Sequence, residues 1–588
     1  MRTFRQPSIV ISLFVAAACG SSDSATEEGA TRGPADWGAN GAQTAGSASA
    51  PMTSSNVSTK PGASLPATGA AAAGTSAWQD EVEALPPEKE MTVSFQLPQA
   101  SEHYVYTVNP NAGTVAIIDA TTQAIQTIKT GSQPTYLRTL EGTDNAIVLN
   151  TGSNKASIIR VNEDKAQKND LPVNAGANAI AVAPDGKHAV VYYNASYMSA
   201  GKTPGSYQDV AVLTIAGDAA GDSAVSMTVG FQPRDVFFDD RSMRAFVVTD
   251  DGVSLLDFAE IEKDGAGIAK LVTFGSNVDQ KNSDVAITPD GEFALARTDE
   301  QSALHLVELA TGRVRTLDLA DSFVDASTAG EDAGVGAPRV DVTDLDLMPT
   351  GREALAALRN QSAIARIALP QAFDDPSQVK IIPVEGEVIG SLSVAPDGRT
   401  ALAYTTAAPE LERMVIVDLD QGSATRTVLL RKAVNAVAYT PDSSTAVITH
   451  LKEPGSPDEP GLSAEDQVDR SYGYSLLRLA TGDVKLQRTA TQLGPIAMVP
   501  DASYLFILFR DDALKLKEVQ RVALKSFLVD PIIPLENPPI SMGVARASGA
   551  VFVNLEHPDG RMTFIDWEQP IEKLKTVTGF ELNSRIRN

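Results

Sequence analysis

A repeated pattern of short β-strands around a Pro-Asp-Gly turn limits what this chain can fold into. It is clearest in Ile389–Leu430, where apolar residues lead into Pro396-Asp397-Gly398 and a second apolar run, Ala401–Tyr404, follows. Proline presets the φ angle of the first corner, and glycine accepts the positive φ with which such a turn closes. Two more β-rich runs, Met414–Asp418 and Thr425–Leu430, complete a unit of four strands.

The same turn recurs along most of the chain. Four antiparallel strands that recur every ~45–60 residues are typical of the blades of a β-propeller. With an N-terminal unit that lacks the turn, the copies predict an all-β propeller of about eight to ten four-stranded antiparallel blades. They fit one ring or two smaller rings, and we expect one because no linker-like stretch divides residues 104–588. The other copies are Ala183–Gly186, Thr288–Gly291, Met348–Gly351, Thr440–Asp442 and Val499–Asp501, with degenerate ones at Leu140–Asn145, Asp239–Met243 and Ala545–Gly549.

The first unit, YVYTVNPNAGTVAIIDATTQAIQTIKTGSQP, resembles the YVTN type of β-propeller repeat. That family is named for a strand like Tyr104–Asn109, followed by a strand ending in Asp like Thr114–Asp119 and a closing Gly-x-x-Pro like Gly131–Pro134. The resemblance extends loosely to the C-terminus. It implies the propeller fold but little about function, because the family includes binding and surface proteins as well as propeller-built enzymes.

The first eighteen residues have the features of a secretion signal. Arg2 and Arg5 precede the apolar run Ile9–Ala18, which is too short to span a bilayer as a helix. The following Cys19 is the only cysteine of the chain, so it has no internal disulfide partner.

The stretch Val15-Ala16-Ala17-Ala18-Cys19-Gly20 resembles the bacterial lipoprotein signal, in which small residues precede a cysteine that is lipidated and becomes residue one. The alternative is an ordinary signal peptide with an incidental cysteine. In that family an Asp after the cysteine favours the inner membrane. Gly20 stands there instead, so the resemblance implies a lipid-anchored protein of the outer membrane, facing the periplasm or the cell surface.

The composition then predicts a tether. From Cys19 to about Glu90 the chain is rich in Ala, Gly, Ser, Thr and Pro, and it has too few large apolar residues to offset the entropy of ordering. We therefore predict a signal peptide at 1–18, a disordered tether at 19–90 and the propeller at 91–588. Closure is expected to pair strands from both chain ends, with Met91–Leu97 and the apolar run near Lys575–Ile586 as candidates.

The charge excludes one class of partner. The formal net charge is −26, and so acidic a surface repels phosphate backbones. We expect no nucleic-acid binding. The membrane contact is expected through the lipid anchor only, and the protein is expected to be a monomer.

Three long insertions are predicted to share one end of the propeller. If the strands of each unit are lettered A to D, Ser199–Gln208 and Leu451–Tyr472 lie between B and C, and Ala320–Val340 lies between D and the next A. Antiparallel alternation brings these connections to the same face, where binding loops on rigid scaffolds concentrate. Neutral drift on a tolerant face is the alternative. Shorter insertions at Ala259–Gly267 and Pro370–Gln378 lie at the other end.

Three aspartates hold one repeat position. Asp235, Asp284 and Asp344 each begin strand A of consecutive units, beside the central channel. Three adjacent carboxylates could coordinate a hard cation such as Ca²⁺, the one cofactor that the sequence suggests. The alternative is that these polar groups only satisfy exposed backbone at a strand start.

Other catalytic signals are absent from the sequence. The five histidines share no metal-ligand spacing, and there is no Gly-x-Ser-x-Gly elbow and no phosphate-binding Gly loop followed by Lys. No catalytic residue is assigned. We expect a non-enzymatic binding or scaffold module for a protein or glycan of the cell envelope. The alternative is a hydrolase or lactonase-like enzyme with a carboxylate and metal site in the channel.

The lipid-anchor hypothesis predicts a change of fractionation for Cys19→Ser. Two acyl chains give stable anchoring, whereas a chain without them has no membrane attachment. The variant should move from the membrane pellet to the soluble fraction on ultracentrifugation. A variant that still sediments with membranes would contradict the assignment.

Overall fold

A computed structural model describes residues 100–581 except 141, 163–164, 198–203, 276–282, 299–300, 324–339, 385, 421–423, 510–515 and 572. The signal peptide, the tether, Cys19 and Met91–Leu97 therefore lie outside the described residues. The strands form ten sheets, arranged as one propeller ring, and each sheet is built on consecutive antiparallel strands. This confirms the all-β propeller prediction and fixes the number of blades at ten.

The strands of each blade follow the order A to D from the channel outwards. Blade 1 contains B, C and D strands, and Ala100 forms an antiparallel bridge with Val105 at the A position. The strands of blades 1 to 5 are, in order, Tyr104–Asn109, Thr114–Asp119 and Ile125–Lys129; Pro134–Thr139, Asn145–Asn150, Lys155–Asn162 and Lys165–Pro172; Ala179–Val182, His188–Tyr192, Asp209–Thr214 and Ser223–Thr228; Asp235–Phe238, Arg244–Thr249, Gly252–Asp257 and Lys270–Val272; Ser283–Ile287, Phe293–Thr298, Ala303–Glu308 and Arg313–Asp318.

The remaining blades have the same plan, except that strand D of blade 9 is split in two. The strands of blades 6 to 10 are Val342–Leu347, Glu353–Leu358, Ala363–Ala368 and Val379–Pro383; Ser391–Val394, Thr400–Tyr404, Arg413–Asp418 and Ala424–Leu429; Val434–Tyr439, Thr445–His450, Tyr472–Arg478 and Val484–Thr489; Leu493–Met498, Tyr504–Phe509, Glu518–Ala523, Leu528–Val529 and Ile533–Pro534; Pro539–Ala545, Ala550–Leu555, Arg561–Asp566 and Leu574–Thr578.

Two short α-helices occur among the described residues, Phe258–Asp264 and Ala464–Asp469. The first leads into Gly267–Ile268, a two-residue strand that pairs in parallel with strand D of blade 3 and so links blade 4 to the outer edge of its neighbour. Within the part of the chain that the structure describes, no helix has the length and apolar character needed to cross a membrane.

The repeated turn has the predicted conformation. Gly186, Gly291 and Gly398 close their turns at φ of 68°, 65° and 69°. In two copies without the glycine, Ser242 and Ser443 take the same left-handed conformation, at φ of 54° each. The turn is thus kept even where the favoured glycine is missing, since the surrounding strands hold its backbone.

The core lies between blades and not within them. Strands B and C carry continuous buried runs such as Ala146–Leu149, because both faces of their sheet are covered by neighbouring blades. The buried residues form ten hydrophobic clusters, and each cluster joins two consecutive blades.

Packing closes the ring between the last blade and the first. The four strands of blade 10 described in the structure come from the C-terminal region, and Leu574–Thr578 pairs with Arg561–Asp566 in that same blade. Blades 10 and 1 meet through a cluster that contains Phe552, Phe564 and Ile118. Strand sharing between the two chain ends stays a prediction, because Met91–Leu97 lies outside the described residues.

Basic side chains supplement the apolar contacts around the rim. An arginine or lysine in strand C or D of one blade donates to backbone carbonyls in the C–D turn of the next. Arg366 donates to the carbonyl of Leu419, and Arg521 to that of Trp567. The other examples are Arg160 to Ala216, Lys270 to Leu309, Arg426 to Leu479 and Arg478 to Lys525.

If the ring is closed, replacing either of two equivalent phenylalanines by alanine should lower the free energy of unfolding by a similar amount. Phe552 and Phe246 are each the third residue of a B strand and fully buried, at the 10–1 and 4–5 interfaces. Phe→Ala at a buried site costs about 3–5 kcal/mol. Both variants should lower the free energy of unfolding by similar amounts in denaturant titrations. A much smaller loss for Phe552→Ala would show that the ring is open at this junction.

Candidate functional site

The strand order divides the ends of the ring into two faces. A–B and C–D connections lie at one end, and B–C and D–A connections lie at the other, which we call the insertion face. As predicted, Leu451–Tyr472 runs between strands B and C of blade 8. The connection 193–208 is the B–C connection of blade 3, and 319–341 links blade 5 to blade 6; parts of both lie outside the described residues.

Leu451–Tyr472, which we call the blade 8 insertion, has a defined conformation that a helix, hydrogen bonds and an ion pair maintain. Its helix Ala464–Asp469 begins with a capping box, in which Ser463 and Asp466 exchange side-chain and backbone hydrogen bonds. The N–H of Glu453 donates to the carbonyl of Asp469 at 2.8 Å, which ties the start of the insertion to the end of the helix. Arg470 and Glu459 form an ion pair across the loop.

A buried lysine holds the insertion on the blades. Lys432, in the connection between blades 7 and 8, is only 1% exposed, and its Nζ donates to the carbonyls of Val468 at 3.0 Å and Asp469 at 2.8 Å. A cation at the last carbonyls of a helix complements the helix dipole. Sequence reasoning missed Lys432, since a lysine beside Arg431 in a short connection is usually solvated.

Carboxylates surround this lysine. Burial lowers the pKa of Lys432, and the carboxylates of Asp469 and Glu412 oppose that shift. Burial raises the pKa of Glu412 to about 7, together with the adjacent carboxylate of Asp469, while Lys432 acts in the opposite direction. Glu412 lies in the B–C connection of blade 7, so the group joins two blades and the insertion.

His450 and Ser475 have the residue types of a catalytic base and nucleophile, but their contacts indicate a structural role. Nε2 of His450 lies 2.7 Å from Oγ of Ser475, both are buried, and Nδ1 lies 3.0 Å from the carbonyl of Ala433. Blade 2 contains the same arrangement, because Asn150 donates to Ser157 at 2.8 Å and accepts from Gly131 at 3.0 Å. In both blades the pair ties the end of strand B to strand C and to the preceding connection.

The three predicted aspartates occupy equivalent strand positions but have different surroundings. Asp284 is exposed and forms an ion pair with Arg297 of the neighbouring strand. Asp344 is buried and accepts hydrogen bonds from the N–H groups of Leu345, at 2.6 Å, and Leu392. Asp235 accepts from the N–H of Val236 at 2.8 Å, and burial raises the pKa of Asp235 to about 6.

In these contacts, the three aspartates do not share ligands or partners. Among residues 100–581 outside the gaps, no group of three or more His, Cys, Asp or Glu side chains is placed to hold a metal ion. Ca²⁺ binding by Asp235, Asp284 and Asp344 therefore stays a prediction, and we build no function on it.

Asp344 belongs to a set of side chains that cover the inner edge of blade 7. Asp344 and Asp346 reach across the interface and accept hydrogen bonds from the N–H groups of Leu392 and Val394, the second at 2.7 Å. From the other side, the hydroxyl of Tyr439 donates to the carbonyl of Ser393 at 2.6 Å. The innermost strand has no further strand to pair with, and these side chains satisfy its backbone instead.

The carboxylate of Glu412, beside Asp469 and Lys432, predicts that the local stability of the blade 8 insertion depends on pH. Glu412 has a folded pKa of about 7, above its ordinary value of 4.5, so its stabilising contribution is complete below pH 4.5 and is lost as the pH rises through 7. Glu412→Gln removes this loss. Hydrogen exchange of the Arg470 amide should therefore be similar in both proteins at pH 5 and slower in the variant at pH 8.

Glu410→Gln is the matched control, because Glu410 lies in the same connection and is exposed. Exchange in this variant should follow the wild type at both pH values. An equal difference between Glu412→Gln and the wild type at pH 5 and pH 8 would contradict the assignment.

No protein-family model matches the chain, and no curated protein matches it either. Among solved structures, the chain is similar to a hydrazine synthase of Kuenenia stuttgartiensis, with 15% identity, a TM-score of 0.31 and coverage of 59% of this chain and 95% of that one. It is also similar to the dihydro-heme d1 dehydrogenase NirN, with 14% identity, a TM-score of 0.35 and coverage of 64% and 74%. A eukaryotic initiation factor gives 9% identity, a TM-score of 0.45 and coverage of 81% and 96%. At these levels of similarity, nothing about the activity of this chain follows from the activities of those proteins.

Proposed function

We propose that this protein is a lipoprotein of the bacterial outer membrane, anchored through Cys19, whose propeller is a non-enzymatic binding or scaffold module. In this proposal the insertion face binds a protein or glycan of the cell envelope. The rigid ring supplies the scaffold, and the connections of one face supply the contacts.

The blade 8 insertion is the observation that carries the proposal. A capped helix, an ion pair and a buried lysine hold this loop in one conformation, although the propeller needs only a few residues to connect strands B and C. A pre-formed loop loses little entropy when it binds a partner. The cost of burying the Lys432 ammonium is therefore better explained by a loop that must keep its shape than by a tolerated insertion.

The test removes the three insertions together. Ser199–Gln208, Ala320–Val340 and Leu451–Tyr472 are each shortened to a Gly-Ser turn. Ala320 and Val340 are kept because they are buried in the core between blades 5 and 6, and Tyr472 is kept because it begins strand C of blade 8. The melting temperature should change by less than about 3 °C, because the core lies between the blades and Lys432 becomes solvated when its cover is removed. Crosslinking and affinity capture from cell envelopes should recover partners with the wild type and lose them with the triple variant.

A control variant keeps all three insertions and changes the opposite face. Met243→Ala suits this purpose, because Met243 is 55% exposed in an A–B turn. It should capture the same partners as the wild type. Partners that are retained by a folded triple variant would show that binding does not use the three insertions.

A further inference from the structure

Three aromatic rings form a ladder on the insertion face where blades 3 and 4 meet. The rings of Tyr193 and Tyr207 are perpendicular at 5.4 Å between centroids, and those of Tyr207 and Phe231 are stacked at 5.6 Å with 21° between their planes. Tyr193 is buried and Phe231 is 41% exposed. The ladder therefore starts in the core and ends at the surface.

Hydrogen bonds hold the backbone of Phe231, and its ring stacks on Tyr207. The N–H of Phe231 donates to Oδ2 of Asp251 at 2.7 Å, and its carbonyl accepts from the N–H of Asp250 at 2.8 Å. The carbonyl of Tyr207 accepts from the N–H of Gln232 at 2.8 Å. An exposed aromatic ring held in this way adds contact area to an interface without further loss of conformational freedom.

The charge beside the ladder is negative. Asp250 is largely covered and paired with Arg234 at 3.7 Å, whereas Asp251 is exposed. Asp251 thus places an exposed carboxylate beside Phe231, in a chain whose net charge is −26. An aromatic face next to a carboxylate favours a cationic group, which gains from the ring quadrupole and from the opposite charge.

We propose that the ladder is a docking site for a basic segment of a protein partner, with an arginine or lysine side chain lying against Phe231 beside Asp251. The proposal rests on the proposed function, since it names the kind of partner that the insertion face binds. It assigns that contact to Phe231, which belongs to none of the three long insertions.

Binding of a labelled octa-arginine peptide to the full-length protein in detergent tests the site. Fluorescence anisotropy at low ionic strength gives the affinity, because salt screens exposed charges. Phe231→Ala and Phe231→Leu should each weaken binding about three- to tenfold, and Phe231→Trp should preserve it, since indole is the strongest cation–π partner. Asp251→Asn should also weaken binding, while its carbonyl oxygen can still accept from the Phe231 N–H.

Two substitutions on the opposite face of blade 4 control for general attraction of a cationic peptide to an acidic protein. Met243→Ala removes an exposed apolar side chain, and Asp264→Asn removes a carboxylate that is 67% exposed. Neither should change the affinity. Equal affinity in the wild type and Phe231→Leu would overturn the proposal, and so would equal losses in the controls.

Binding of a neutral N-acetylglucosamine hexasaccharide tests the alternative that the ladder binds a glycan. Sugar binding that Phe231→Ala abolishes, with octa-arginine affinity unchanged, would overturn the proposal and assign the ladder to a glycan. Envelope partners captured by Phe231→Ala but lost by the triple insertion variant would refute the ladder while the proposed function stands. Partners retained by both variants would refute both.

Discussion

Apolar packing between consecutive blades is the interaction on which this structure depends. Each sheet has two faces, and neither can be buried within its own blade. All ten hydrophobic clusters join neighbouring blades, including the cluster that joins the last blade to the first. The basic side chains that donate to the next C–D turn act at the same interfaces, so each blade is positioned by its neighbours on both sides.

This arrangement explains where sequence reasoning succeeded. The turn chemistry is local, and nine copies of it predicted nine of the ten blades, while the strand pattern after Tyr104 predicted the first. Copies without the glycine keep the turn, since Ser242 and Ser443 take the positive φ of the missing residue. The position of the long insertions followed from the same strand order.

The features that the sequence did not predict are contacts between distant residues. Sharing of strands at closure stays a prediction, because Met91–Leu97 lies outside the described residues. The repeat position of Asp235, Asp284 and Asp344 was read correctly, but position alone does not give a side chain its partners. Lys432 and the ladder had no sequence signal, since burial of a lysine and stacking of rings from two connections depend on the completed fold.

In the proposed function, the connections of the insertion face bind the partner and the ring supports them. The His450–Ser475 pair illustrates the distinction, because a pair of catalytic type has a counterpart of Asn and Ser in blade 2. A residue pair that recurs with changed chemistry at the same strand ends supports the scaffold. The Lys432 group, which holds the blade 8 insertion in place, and the ladder both lie at the insertion face.

The side chains that cover the inner edge of blade 7 have a consequence for what the channel can bind. An extended peptide can add to a sheet only where main-chain donors and acceptors are available along an edge strand. Asp344 and Asp346 already occupy the N–H groups of Leu392 and Val394. Blade 7 is therefore closed to β-augmentation from the channel side, and a peptide in the channel would have to displace two carboxylates before it could pair with this strand.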